Sequence, residues 1–248
     1  DPLATNLILD GNPCHEEALE IAQKAGVDFS LNVTLNKDLQ LTGVFAGQLV
    51  EANLAAFHFI KDYVAIPIRQ EYDLVLTLGG YVGQNHYQTA KAAVSALPAV
   101  KEGGIIVIVA NNRDAFDPVG SSEYRTLLHL LKLQGPDGYL QLLKSPGWKF
   151  TKDQWEPEVW GKVLRKVGEE GLIYCSPEIN LKDYRLLPGI SGLDLLDENN
   201  RMTLIEKAQD MTQKAVLLAV ALLRSKGLQP AMAFICEGPY AVPYPVSN

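Results

Sequence analysis

Asp73-Leu74-Val75-Leu76-Thr77-Leu78-Gly79-Gly80-Tyr81-Val82-Gly83-Gln84-Asn85-His86-Tyr87-Gln88-Thr89-Ala90-Lys91 decides how this 248-residue chain is read. The stretch opens with a near-continuous apolar run bounded by turn residues, which suits a strand covered on both faces. Gly79-Gly80 then lets the backbone turn where a side chain would clash. The first turns of a helix follow. In an open α/β sheet, ligands bind where strands end and helices begin, so the residues after Gly80 are the first place to look for chemistry.

The spacing gives that helix two faces. Tyr87, Ala90, Val94 and Leu97 fall at i, i+3, i+7 and i+10 and predict a core-facing stripe. Gln84, Gln88 and Lys91 fall at i, i+4 and i+7 on a polar stripe near the helix start. Two amides and an ammonium facing a strand-end crevice suit a small carboxylate or hydroxy acid. An ordinary solvated helix face has the same pattern, and spacing alone does not separate the two.

Working outward, Gly103-Gly104 closes this unit and residues 105–110 read as a second buried strand. Strand, helix and strand in about forty residues make a βαβ unit, with parallel strands and a right-handed crossover. The second strand runs into Asn111-Asn112-Arg113-Asp114, polar residues where the fold expects a ligand crevice. Asn and Asp favour turns in any case, but Arg113 adds a cation where an anion would need one. Downstream, residues 121–131 and 138–143 read as helices. Asp153 reads as an N-cap with Glu156 three residues later, close to a capping box, on a helix reaching about residue 167. Residues 172–175 are a third core strand, 186–196 are too broken by Gly and Pro for a regular element, 203–226 are a long helix closed by Gly227, and 231–236 are a last strand.

Upstream, residues 7–9 read as a short edge or linker strand. Asn12-Pro13 opens a helix that stops at Gly26. Residues 29–35 and 39–45 form a hairpin around Asn36-Lys37-Asp38, followed by a helix over 49–61 and an extended segment over 64–68. The expected fold is α/β: a mostly parallel or mixed sheet with helices on both faces, a Rossmann-like three-layer sandwich.

Composition narrows the function classes. The chain is 47% hydrophobic and 21% charged, an ordinary globular balance, long enough for one large domain or two small ones. A net charge of −7 without any basic run argues against a nucleic-acid partner. Cys14, Cys175 and Cys236 are too few and too far apart for a disulfide framework or a C-x-x-C metal signature. The longest apolar run, residues 215–223, is too short to span a membrane, and with no signal peptide a cytoplasmic origin is expected. The chain begins at Asp1 without a Met, as a piece of a longer polypeptide would.

Several catalytic templates are missing. Gly79-Gly80-x-x-Gly83 is not G-x-G-x-x-G, and no acidic residue ends a following strand at the required distance, which argues against a dinucleotide site. There is no P-loop and no G-x-S-x-G. His15, His58, His86 and His129 form no close pair, so a complete metal site within the chain is not expected. His86 lies at the loop–helix junction, yet helical spacing turns it away from Gln84 and Gln88. Trp148, Trp155 and Trp160 read first as core or interface residues.

The residues now carry a resemblance. Gly11-Asn12-Pro13 with its acidic helix, Ala25-Gly26-Val27-Asp28-Phe29 leading to Leu31-Asn32-Val33-Thr34-Leu35-Asn36, and Phe45-Ala46-Gly47 before Val50-Glu51-Ala52 all take part. So do Gly79-Gly80-Tyr81 with Gln84-Asn85-x-Tyr87-Gln88-x-x-Lys91, Glu102-Gly103-Gly104-Ile105-Ile106, and Gly238-Pro239 with Pro243. Together they resemble the carboxy-terminal domain of the nickel-dependent lactate racemase family across almost the whole chain, residues 1–248. The Gly-Gly-Tyr to Lys block is the most specific part.

That resemblance implies an enzyme that racemises or epimerises α-hydroxy acids with a nickel pincer nucleotide, pyridinium-3-thioamide-5-thiocarboxylic acid mononucleotide nickel. The pyridinium accepts a hydride from the α-carbon and returns it to the other face, while two histidines alternate as base and acid. In the family the cofactor-bearing lysine, the nickel-ligand histidine and both catalytic histidines belong to an amino-terminal domain, which nothing here matches. The implied partners are that domain and the small substrate. The positions carried over are Gln88, Lys91 and Trp155. Lys91 would hold the substrate carboxylate, Gln88 would donate beside it, and Trp155 would exclude water. Tyr81, Gln84, Asn85, Asn111 and Arg113 join them as substrate- or cofactor-binding candidates. The 248-residue chain alone is expected to be inactive and to bind no nickel tightly. One departure stands out: Val82-Gly83 makes the turn one residue shorter than in relatives, which usually carry a Pro there, so lactate is not assumed as substrate. A non-catalytic small-acid binding or regulatory domain of the same fold is the alternative.

Overall fold

The computed structural model describes residues 1, 3–36, 38–197 and 202–246. They form two compact units, Asp1–Ile66 and Pro67–Asn248.

The first unit holds α1 (Pro13–Ala25), the antiparallel pair β1 (Ser30–Leu35) and β2 (Leu41–Gly47), and α2 (Leu49–Val64); β3 (Ala65–Ile68) follows. Asn12 caps α1, its side chain accepting from the Cys14 N–H at 3.1 Å. The strand expected over residues 7–9 does not form. Leu7 takes a left-handed φ of 62°, and Asn12 Nδ2 donates to the Ile8 carbonyl at 2.9 Å, folding the segment into a turn. One hairpin face packs on α2, where the Phe45 and Phe59 rings lie 5.3 Å apart. The hairpin is patterned inside out. Thr34 is buried and Asn32 half-buried, while Leu31, Val33 and Leu35 are exposed. Among the described residues of this unit only Asn12, Thr34 and Ala52 are buried.

The second unit has a real core. Its elements are β4 (Tyr72–Leu78), α3 (His86–Ala96), β5 (Val100–Val109), α4 (Ser122–Lys144), α5 (Trp155–Val167), β6 (Leu172–Cys175), α6 (Leu181–Tyr184), β7 (Ile190–Ser191), α7 (Leu204–Ser225), β8 (Met232–Ile235) and β9 (Val242–Pro245). Five strands pair in the order β7-β6-β5-β4-β8, all parallel. The chain steps from β4 to β7 in one direction and then returns to the other side of β4 with β8. Right-handed crossovers therefore put α3 and α5 on one face and α7 on the other, a three-layer sandwich. Val75, Ile106, Val107, Ile108 and Ile173 are fully buried between the layers.

Local signals set most boundaries. Thr203 and Glu206 form a reciprocal capping box that starts α7. Gly135, at φ 68°, with Pro136 bends α4 between its two expected parts. β5 starts earlier than the sequence suggests, at Val100, and its register with β4 slips before Ile105; Lys101 Nζ bonds Asp73 Oδ1 at 2.8 Å across the slip. Among the described residues no helix is long and apolar enough to cross a membrane.

Candidate functional site at the strand ends

The sheet order reverses direction at β4, so a crevice is expected at its carboxyl end. Gly80 turns there with φ 63°, and a Cβ on it would sit 3.0 Å from Pro239 Cδ. A Cβ on Gly238 would lie 1.8 Å from the Leu78 carbonyl oxygen. Both glycines are needed for the segment after β8 to lie across the end of β4.

The loops after β4 and β5 are laced together. Gly79 N–H donates to the Val109 carbonyl at 2.8 Å and Asp114 N–H to the Gln84 carbonyl at 2.9 Å. Asn112 Nδ2 donates to the Gly83 carbonyl at 3.0 Å, and Asn85 Nδ2 to Asp114 Oδ2 at 2.8 Å. The two loops the sequence singled out thus make one structure.

Asn85 is also the cap of α3, its Oδ1 accepting from the Gln88 N–H at 2.9 Å. The helix therefore begins at His86, and Gln84 lies in the turn before the cap. This corrects the expected three-residue helical stripe, because the cap takes the position at which Gln84 would have joined the helix. Gln88 and Lys91 do share a face: Lys91 Nζ donates to Gln88 Oε1 at 2.6 Å. Lys91 is exposed and Gln88 half-buried. Tyr81 is exposed, with the Arg113 guanidinium 5.4 Å from its ring centroid. Asn111 is exposed at the head of the same loop as Arg113. Trp155, the first residue of α5, is 50% exposed.

Beside Lys91 lies a group that sequence reasoning missed as a site residue. Glu156, in the first turn of α5, is only 6% exposed. Burial lifts its carboxyl to about 7; the Lys91 ammonium opposes that rise, and the nearby Asp153 adds to it. Tyr87, from α3, is raised by the same burial and then by the charges of Glu156 and Asp153. The sequence offered Asp153 as the cap of α5. Asp153 instead takes φ 64° and accepts from Ser121 Oγ at 3.0 Å, and the cap position is Gln154, whose side chain accepts from Trp148 Nε1 and the Thr151 N–H rather than capping α5. Glu156 is thereby released from the capping box and buried against α3.

Beneath this rim is a buried aromatic cluster. His86 stacks on Trp160 with centroids 4.4 Å apart and meets the Tyr174 ring edge-on at 4.9 Å. Its Nδ1 is 2.9 Å from the Tyr124 hydroxyl, which also accepts from Trp160 Nε1 at 2.9 Å. Complete burial pushes the His86 imidazole down to about 3, so the ring is neutral. Asn112 extends the network: its Nδ2 also donates to Thr89 Oγ1 at 3.1 Å and its Oδ1 accepts from the Tyr174 hydroxyl at 2.7 Å.

Comparison with known proteins relates part of this chain to a family. Residues 69–185 match the model described as the lactate racemase C-terminal domain. Over residues 69–185 the chain carries a lactate racemase C-terminal domain. It is 28% identical over 166 residues to the lactate racemase of Thermoanaerobacterium thermosaccharolyticum, covering 66% of this chain and 38% of that protein. It is 31% identical over 155 residues to the lactate racemase of Lactiplantibacillus plantarum, covering 62% of this chain and 35% of that one. The solved lactate racemase apoprotein from the first organism shares the fold with a TM-score of 0.78 at 21% identity. That match covers 98% of this chain and 52% of the solved one, so the chain spans about half the length of this relative. A Thermotoga maritima protein of known structure also shares the fold, with a TM-score of 0.52 at 13% identity.

Proposed function

We propose that this lactate racemase C-terminal domain closes the site of a nickel-pincer-dependent α-hydroxy-acid racemase or epimerase, against an amino-terminal domain of the same polypeptide. The observation that carries the reading is the Lys91–Gln88 pair, exposed on α3 beside the buried carboxyl of Glu156. Lys91 supplies a point charge for a substrate carboxylate, and the Gln88 amide fixes its position and donates beside it. Holding that carboxylate fixes the α-carbon for reaction. Trp155 provides a half-exposed apolar wall that excludes water once the domains meet. Tyr81 with Arg113, and Gln84, Asn85 and Asn111, form the remaining polar rim.

The residues of this chain suit contact with such a cofactor rather than ligation of its metal. Among the described residues no three His, Cys, Asp or Glu side chains come together as a metal site. The nickel ligands would then be supplied by the other domain. When bound, the cofactor supplies a hydride acceptor for the substrate's α-carbon.

The test uses the natural-length polypeptide and the 248-residue chain side by side. Incubated with single enantiomers of a panel of small α-hydroxy acids and followed by chiral chromatography, the natural-length protein should interconvert at least one pair. The 248-residue chain should convert none and lose nickel on dialysis against a chelator. Stoichiometric nickel retained by the short chain would overturn the division of roles. Hydroxy-acid binding without turnover by the cofactor-loaded natural-length protein would favour a binding or regulatory domain instead.

A further inference from the structure

The hairpin of the first unit is built the wrong way round for a free surface. Cross-strand pairing sets Leu31 opposite Ala46, Val33 opposite Val44 and Leu35 opposite Leu41, so all six share one face. That face carries no charge, and its large members are half to two-thirds exposed: Leu31 63%, Val33 51%, Leu35 50%, Leu41 59% and Val44 54%. The polar partners Asn32 and Thr34 occupy the other face, toward α2. A hairpin facing water on one side normally alternates polar-out and apolar-in. Contiguous apolar patches of this kind mark interfaces.

The length of the relatives says what covers it. The solved lactate racemase matches 98% of this chain, residues of the first unit included, yet nearly half of that protein lies outside the match. The family domain begins only at residue 69, beyond the end of the first unit at Ile66. Residues 1–66 thus have a counterpart in the solved relative but fall outside the matched domain.

We infer that the Leu31–Val33–Leu35/Leu41–Val44–Ala46 face of the β1–β2 hairpin is a docking surface for the part of the same polypeptide that the relatives carry beyond the matched half. Residues 1–66 then complete that other domain. The inference rests on the reading that a second domain exists in the natural protein, and it assigns the surface that receives it. The apolar side chains become core, and the strand edges of β1 and β2 become available for pairing.

Carbene footprinting read by mass spectrometry tests this on the natural-length protein and on the 248-residue chain. Leu31, Val33 and Val44 should label several-fold less in the natural-length protein. Val33→Lys should leave the melting temperature of the 248-residue chain unchanged and lower that of the natural-length protein by several degrees. Equal labelling in both polypeptides would overturn the inference, as would a natural polypeptide that ends at these 248 residues. So would a 248-residue dimer whose assembly protects the same residues and is broken by Val33→Lys, since a second copy would then be the occupant. Racemase activity separates this failure from failure of the functional reading: activity with an unprotected hairpin sinks only the docking surface, and a protected hairpin without activity sinks only the enzyme.

Discussion

The two sides of α3 differ in what their polar residues do. On the inner side His86 and Thr89 are fully buried and tied into Tyr124, Trp160, Asn112 and Tyr174. On the outer side Gln88 and Lys91 bond each other and face outward beside Glu156. The inner side uses polar atoms to fix one arrangement of loop and helix, where each unsatisfied group would be costly. On the outer side Lys91 donates to Gln88, and the proposed site would draw on the donors that remain. A helix of eleven residues would thus hold the proposed site from beneath.

The comparison breaks most readily at Trp160, which is fully buried, stacks on His86 and donates to Tyr124. Trp160→Ala should cost about 3–5 kcal/mol in chemical denaturation. A loss under about 1 kcal/mol would mean the inner cluster is not what fixes α3.

Asn112→Ala should cost about 2–3 kcal/mol, because it strips partners from the Gly83 carbonyl, Thr89 and Tyr174 at once. It should also lower turnover in the natural-length protein, since the two site loops lose a tie. Unchanged activity would show that the loops hold their positions without it.

Glu156 sharpens the boundary between the two sides. Its folded carboxyl is raised from 4.5 to about 7 by burial, so the stability of the neutral form is fully present below about pH 4.5 and is lost as pH rises through about 7. Glu156→Gln should therefore match the wild type near pH 4 and exceed it by roughly 2–3 kcal/mol near pH 8. A difference that does not depend on pH would place the Glu156 carboxyl in water.

Much of this was legible in the sequence. The apolar run 74–78, the Gly79-Gly80 turn and the following helix predict the βαβ unit, and β4, α3 and β5 form it. The boundaries of α1 and α7 follow from Asn12, Gly26, Thr203 and Gly227, where local capping decides. Other features depend on contacts between distant residues. Gln84 reads as helical because its spacing to Gln88 fits; Asn85 instead caps the helix through the Gln88 N–H, with its side chain held by the distant Asp114. Asp153 and Glu156 read as a capping box because the partner that removes Asp153, Ser121, is 32 residues away. Alternating Leu31, Val33 and Leu35 read as an ordinary half-buried strand; which face is covered depends on α2 and is invisible in the alternation.

Lys91 carries the central claim, and Lys91→Ala in the natural-length protein tests it most directly. At pH 5.5, where the neighbouring Glu156 is mostly neutral, the melting curve should move by less than about 0.5 kcal/mol, since Lys91 is exposed and bonds only Gln88. Above pH 7 a modest loss should emerge, because Glu156 then ionises without the charge that opposed its rise. Activity should fall far more: loss of a charge-assisted contact worth about 2–4 kcal/mol in the transition state lowers kcat/KM on the order of a hundredfold. A Lys91→Ala protein that racemises its substrate at the wild-type rate would contradict the account and return Lys91 to an ordinary solvated helix face.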